Sequence, residues 1–301
     1  MTPQAILQMS KADLLAEISK FKVSPEDRLG LSEPNSKTLA ILPWIQKEIG
    51  ITIRKSEFKS WSLLSGISCP GAKDCRARAM LLDNGKRMLQ RYEGSCYTCF
   101  AANDETQYDQ TYAQRSRNRD LILARKDNPF EIAALILASM PRDRKGNVKL
   151  KIVRVHIGGD FFCLNYLLAL CIVSRILEST RFYAYTKSLH FVKQLDCNAS
   201  ELPNLRIIIS AGGLFDALIP ELTKRGFHTA TVVFSEAEAT AKGLQIDHRD
   251  NLAAYGDRPF ALLLHGTQAK GSEAAKAISA LRKAGKGGYS RTTKTNKRAA
   301  A

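Results

Sequence analysis

From about residue 110 onward the chain alternates short runs of branched apolar residues with longer helical stretches, and no other feature limits its fold so tightly. YAQRSRNRDLILARK and NPFEIAALILASM have helical spacing, and PRDRKGNVK is a polar turn. KIVRVHIGG reads as a buried strand bounded by glycines, and LNYLLALCIVSRILES as a strongly apolar helix. The strand RFYAYTK, the short helix FVKQLD, the strand LRIIISAGG and the helix LFDALIPELTKRG follow. HTATVVFS and PFALLLHG are further strands, and GSEAAKAISALRKAG is the closing helix. Strands that alternate with helices pair in parallel through right-handed crossovers. With ITIRKSEFKSWSLLSG as the first strand, about six strands are expected. That count predicts an α/β fold, a (βα)6-like partial TIM-type barrel rather than a closed eight-stranded one. A doubly wound open sheet is the alternative.

The first 55 residues have a different texture. LLAEISKFK is helical, SPEDRLGLSEPNS is a loop, and KTLAILPWIQKEIG is a second helix interrupted by Pro43. The organisation expected is a helical N-terminal extension over 1–55, the partial barrel with a cysteine-rich first loop over 56–288, and a basic tail over 289–301. The tail and the residues just before it carry many bases and no acid, so a disordered, polyanion-seeking segment is expected.

Composition narrows the function classes. No run of about 18 apolar residues occurs, so no membrane span is expected. The amphipathic start lacks the apolar core of a secretory signal. A cytoplasmic protein is expected, in the host cytoplasm if it is viral. The formal net charge of +16 draws polyanions, which makes nucleic acid the expected partner, DNA ahead of RNA.

Four of the seven cysteines cluster in SCPGAKDC and SCYTC. Reducing cytosol disfavours disulfides, so such a cluster points to metal or catalysis. Cys69 and Cys75 form a C-x5-C pair, and Cys96 and Cys99 a C-x2-C pair. Four thiolates in two pairs suit tetrahedral zinc, whereas an iron–sulfur cluster takes thiolates and often leaves an iron open. Cys69 follows the first strand, where a catalytic rim would lie. Cys163, Cys171 and Cys197 are expected to be buried small residues.

In parallel α/β folds, ligands bind at the carboxyl ends of the strands. Those ends carry His156 with Gly158-Gly159-Asp160, Thr186-Lys187-Ser188, Ser210 with Gly212-Gly213, Ser235-Glu236, and His265-Gly266-Thr267-Gln268. Gly158 and Gly159 would admit a ligand close to the backbone. Asp160 would anchor an amine or act as base or nucleophile. Lys187 would bind phosphate as a point charge, and the amides of HGTQAKGSEAA would hold an anion before the last helix. His156, Asp160, Glu236 and His265 are the catalytic candidates. Gly158, Gly159, Lys187 and Ser210 are the candidates for holding a small-molecule cosubstrate.

SCPGAKDC, CFAA, VRVHIGGDFF, FYAYTKSL and FALLLHGTQAKGSEA together resemble the phage-associated "gene product 88" family, over about residues 58 to 288. In that resemblance the recurring thiols are Cys69, Cys75 and Cys99, and Cys96 is an extra. The layout is also similar to radical S-adenosylmethionine enzymes, which have a six-unit partial barrel, three cluster-binding cysteines after the first strand and a GGE-type motif after the second. Gly158-Gly159-Asp160 stands in that motif's place. Those enzymes use a compact C-x3-C-x2-C, whereas these thiols span thirty residues.

The gene product 88 family supplies little mechanism, and the thiols, strand-end residues and basic charge together lead to the expectation of a phage-type nucleic-acid-modifying metalloenzyme. Its iron–sulfur cluster would rest on Cys69, Cys75 and Cys99, and S-adenosylmethionine is a possible cosubstrate. Two alternatives stand beside it. One is a base-exchange enzyme similar to tRNA-guanine transglycosylases, with a zinc site and Asp160 as the first aspartate to test. The other is a non-enzymatic, zinc-stapled nucleic-acid-binding protein, which predicts no deep pocket.

Overall fold

The computed structural model describes residues 1–285, so the basic tail lies outside the described residues. Among the described residues nine strands form in chain order: β1 (Phe58–Trp61), β2 (Ala77–Leu81), β3 (Arg87–Arg91), β4 (Ile152–Val155), β5 (Arg181–Thr186), β6 (Leu205–Ser210), β7 (His228–Val233), β8 (Gln245–Ile246) and β9 (Phe260–Leu263). Seven of them build one sheet in the order β1-β4-β5-β6-β7-β9-β8, and every pairing is parallel. The order climbs from one edge to the other, with only the last two exchanged. A doubly wound sheet would instead begin in its middle and reverse direction there. Among the described residues no pairing joins β8 to β1, so the sheet is open.

The strands lie where the apolar runs predict. The seventh, β8, is a two-residue edge segment with no run to announce it. β2 and β3 form an antiparallel hairpin inside the cysteine-rich segment. Their charged composition hides them, although Asn84-Gly85 is a strong turn signal, with Gly85 at φ +77°.

Period-two alternation assigns the side chains to two faces. The outward set includes Val153, Val155, Phe182, Ala184, Ile207 and Ile209. It packs against the helices Pro129–Ser139, Leu164–Ile176 and Leu189–Leu195. The helix Leu164–Ile176 is apolar nearly all round because the N-terminal helices Pro3–Gln8 and Lys11–Ser19 cover its far side with Ile6, Leu7, Leu14 and Ile18. Each fully buried Leu or Ile there contributes ~1.5–3 kcal/mol of transfer free energy.

The inward set begins with Phe58, Ile152, Tyr183, Ile208, Ala230 and Phe260. These are sealed by Ile41, Ile45 and Ile53 and by Ala253 and Ala254 of the helix Asn251–Tyr255. The first 55 residues therefore cover both faces of the sheet. Two residues further along each strand the inward side chains become Arg154, Tyr185, Ser210, Val232 and Leu262, and these line a cavity at the carboxyl ends. No helix among the described residues is long and apolar enough to cross a membrane.

Candidate functional site

A lid closes over the strand ends. It is made by the chain between β1 and the helix Asp109–Leu123. Leu63 N–H donates to the Gly158 carbonyl at 2.9 Å, Asp74 N–H to Gly212 at 3.0 Å, and Leu214 N–H to Gly71 at 2.9 Å. The side-chain amide of Gln268 bridges from the far edge, accepting from Thr98 N–H at 2.7 Å. The Phe100 ring lies 4.4 Å from that of His265. The lid thus touches the loops after β4, β6 and β9.

Beneath it lies a cavity of about 460 Å³. Cys69, Cys75 and Cys99 open into it together with His156, Gly158, Gly159, Asp160, Lys187, Ser210 and His265. Ten of the twelve residues singled out from the sequence therefore share one space. Cys99 caps the helix Phe100–Gln107 from its N-terminal end. Burial raises all three thiols, that of Cys75 to about 12. Cys69 is pushed further by Asp160 and by the other two thiols, so the three sense one another. The amides of Ala102 and Ala101 partly oppose the rise at Cys99. Among the described residues no group of three or more His, Cys, Asp and Glu side chains is poised to hold a metal ion.

Asp160 is buried and well satisfied. Its carboxylate accepts from Thr186 Oγ1 at 2.6 Å, Phe161 N–H at 2.7 Å and Lys187 N–H at 2.8 Å. Burial nevertheless lifts its pKa to about 6, against those hydrogen bonds. The side chain ties the loop after β4 to the end of β5. The glycines before it serve the same junction. A Cβ on Gly159, which sits at φ +83°, would fall 2.6 Å from Leu63 Cβ, and one on Gly158 would fall 2.7 Å from Arg115 Nη1. Protein, rather than only a ligand, occupies the space that their missing side chains leave.

Three cations, Lys37, Arg154 and Lys187, line the cavity together with Asp104 and Asp160. Arg154 and Lys37 share the fully buried Asp250, Lys37 at 3.2 Å, and Tyr183 donates to the same carboxylate at 3.1 Å. Burial alone would raise Asp250, but the two cations hold it below the usual carboxylate range. Lys187 Nζ donates to Ser210 Oγ at 3.2 Å and to the Ala211 carbonyl. His156 has a left-handed backbone at φ +68° and is 3% exposed. Burial holds its ring well below the usual range, at about 3. His265 is lowered to about 4, by burial first and by Lys37 next.

Two candidates fall outside. Cys96 is exposed and does not line the cavity. Glu236 opens the helix Glu236–Ala241, which Ser235 caps, and this turns the chain away from the cavity toward a separate depression beside Glu273 and Lys276. At the start of the last helix, Ser272 Oγ caps one amide, accepting from Ala275 N–H at 3.1 Å. Cys171 and Cys197 are core residues, and Cys163 is half-buried. Sequence reasoning missed Arg154, Tyr185, Lys37, Tyr97 and Phe100. A charged residue inside the otherwise apolar IVRV was the available signal for Arg154.

A family profile described as Gene product 88 matches residues 31–285. No curated protein and no solved structure matches the chain.

Proposed function

The chain belongs to the Gene product 88 family, and from that premise we propose a nucleic-acid-modifying enzyme, a partial (βα) barrel whose mouth holds a thiol-ligated iron–sulfur cluster beside a small-molecule cosubstrate. One observation carries the reading. Cys69, Cys75 and Cys99 come from separated stretches and open on one cavity at the strand ends, while the extra Cys96 does not. Three thiols match the donor set of a cluster with one iron open. A four-thiolate zinc site would need Cys96 as its fourth donor, and Cys96 does not line the cavity. Binding a cluster would require the thiols to lose their protons and the lid loops to draw them together.

When bound, such a cluster supplies one-electron chemistry. The chain's own residues would do the rest. Asp160 holds the glycine loop against β5. The lid covers the strand ends, and Lys187 and Arg154 would stand beside the cosubstrate as cations. The hairpin β2–β3 hangs from the lid and carries Arg78, Lys86, Arg87 and Arg91, which favours a polyanion near the mouth. A base in a duplex would have to be flipped out to enter.

Neither alternative fits as well. Asp160, the proposed nucleophile of the base-exchange reading, already accepts three hydrogen bonds. The zinc-stapled binding protein predicts no deep pocket, whereas a cavity of about 460 Å³ lies at the strand ends.

The test is anaerobic purification with an absorption spectrum and metal analysis. Brown protein with several irons per chain is expected. Colourless protein, or one zinc per chain, would overturn the reading.

A further inference from the structure

The hairpin β2–β3 has two unlike faces. Its odd-numbered side chains turn toward the protein. Ala77 and Ala79 are buried, Arg87 Nε–H donates to the Glu105 carbonyl at 2.8 Å, and Arg91 Nε–H donates to Thr98 Oγ1 at 2.7 Å. Strand alternation gives the opposite face to the even-numbered pairs, Arg78 with Gln90 and Met80 with Met88. Arg76 and Tyr92 add one more pair at the root, where Tyr92 N–H donates to the Arg76 carbonyl at 3.2 Å. On this face Arg76 and Met88 are exposed, and Arg78, Met80, Gln90 and Tyr92 are half-buried.

Tyr92 gathers two cations. The Arg76 guanidinium lies 4.2 Å from the centre of its ring and that of Arg78 lies 5.9 Å from it. Among the described residues neither guanidinium is in an ion pair. Arg78 reaches the Gln90 side-chain carbonyl at 2.6 Å and the Met80 sulfur at 4.0 Å, and Arg76 has the ring contact. Arg87, on the inner face, has Asp109. From Arg76 to Tyr92 the chain carries five cations and one acid, Asp83 in the turn. Like charges held together on one side chain, with no carboxylate between them, favour an anion brought from outside.

The outer face leads to the cavity. Cys75, which lines the cavity, immediately precedes Arg76. On the return strand, Ser95 Oγ donates to the Arg76 carbonyl at 3.0 Å, and Tyr97 and Thr98 then line the cavity. From this root to the turn the ribbon is ~20 Å long, at ~3.3 Å per residue.

We propose that the outer face of the hairpin is a track for a single strand of nucleic acid. Bases stack against Tyr92 and the guanidinium planes of Arg76 and Arg78 and lie along Met80 and Met88, while the arginines meet the phosphates. Gln90, whose carbonyl Arg78 occupies, keeps its amide N–H groups for base edges. The choice of a single strand follows from the ring. In a duplex the bases stack on one another and show only their edges, whereas in a single strand each base offers a flat face. An acidic peptide would satisfy the guanidiniums and leave the ring without a stacking partner. This inference rests on the nucleic-acid reading above and not on the iron–sulfur cluster.

Full-length protein, assayed without iron by fluorescence anisotropy, tests it with three probes of equal length: oligothymidylate, the same strand with abasic sites, and a duplex. The oligothymidylate should bind most tightly. Tyr92→Leu should weaken it by roughly five- to tenfold and leave the abasic strand unchanged, and Tyr92→Phe, which keeps the ring, should bind like the wild type. Arg76→Gln should weaken both single strands and lower the salt slope by about one. Thermal midpoints confirm that each variant is folded, and Arg76→Gln stands in if Tyr92→Leu is not. The inference is overturned if the wild type binds oligothymidylate and the abasic strand equally. It is also overturned if the duplex binds more tightly, if polyglutamate at matched charge displaces the strand, or if the folded variants bind like the wild type. Those results leave the nucleic-acid reading standing, whereas no binding of any probe would remove both.

Discussion

Arg115 Nη1 donates to Glu105 Oε1 at 2.7 Å, in a place where the glutamate side chain is fully buried. The same carboxylate accepts from Ser65 N–H and Ser65 Oγ, and Arg115 also reaches the Ala101 carbonyl at 3.0 Å. This cluster locks the helix that begins after Cys99 to the loop that leads to Cys69. Removing only the cation strands a buried charge, a change that costs about 3–5 kcal/mol. Arg115→Met should therefore lower the urea midpoint sharply, and Arg115→Met with Glu105→Gln should recover part of the loss. An additive double mutant would show that the two groups do not act as a pair.

The thiols are not equivalent. Under anaerobic reconstitution, Cys69→Ser, Cys75→Ser and Cys99→Ser should each lose most of the bound iron, and Cys96→Ser should keep it. Iron per chain and visible absorbance read this directly. Equal loss in all four would place Cys96 among the ligands, against its exposure outside the cavity.

Acid should destabilise the fold through His156 and His265. Burial lowers His156 to about 3 and His265 to about 4, from an ordinary 6.5. Between those values the unfolded chain binds more protons than the folded one, so their contribution is complete above pH 6.5 and declines as pH falls. Asp160 works in the other sense. Burial raises it from 3.8 to about 6, so its contribution is greatest at low pH and is lost as pH rises through 6. Asp104, Glu105 and Asp247, raised by burial, act in the same sense as Asp160, so the histidine share is read by difference: between pH 7 and pH 5 the wild type should lose about 1 kcal/mol or more of unfolding free energy relative to a His156→Gln, His265→Gln variant. Urea titrations of both proteins at the two pH values measure it, and an equal pH dependence would contradict the burial of neutral rings.

Gly159 is a packing requirement. Its left-handed backbone and the nearness of Leu63 leave no room for a methyl group. Gly159→Ala should cost about 1–3 kcal/mol by chemical denaturation. A neutral outcome would mean that the loop after β4 can swing free of Leu63.

The hairpin gives the nucleic-acid reading its own check. Lys73, just before β2, and Lys86, beside its turn, are exposed. Lys73→Ala and Lys86→Ala should each weaken oligonucleotide binding with little regard to sequence. Each should also flatten the slope of log affinity against log salt by about one. Fluorescence anisotropy across a salt series would reveal it, and an unchanged slope in both variants would remove the hairpin from the interface.

Much of the architecture was legible because strand and helix periodicities are local properties. IVRV, RFYAYT, LRIIIS, HTATVV and FALL announce themselves by β-branched and aromatic runs between helical stretches, and parallel pairing follows from the crossovers. The strand-end rule also led from those runs to His156, Asp160, Lys187, Ser210 and His265, because the carboxyl end of a strand can be read directly from its sequence. The β2–β3 hairpin and β8 were not legible, the first because its charged side chains mask the alternation, the second because two residues carry no pattern.

Residue type and order along the chain thus determined which strands exist and which groups sit at their tips. Only tertiary structure decided that the thiols of a distant lid would open onto those tips, that Glu236 would turn aside, and that Lys37 would join Arg154 on Asp250. Contacts between segments far apart in the chain depend on how crossovers bring surfaces together and on which buried charges must find partners. No local spacing encodes either.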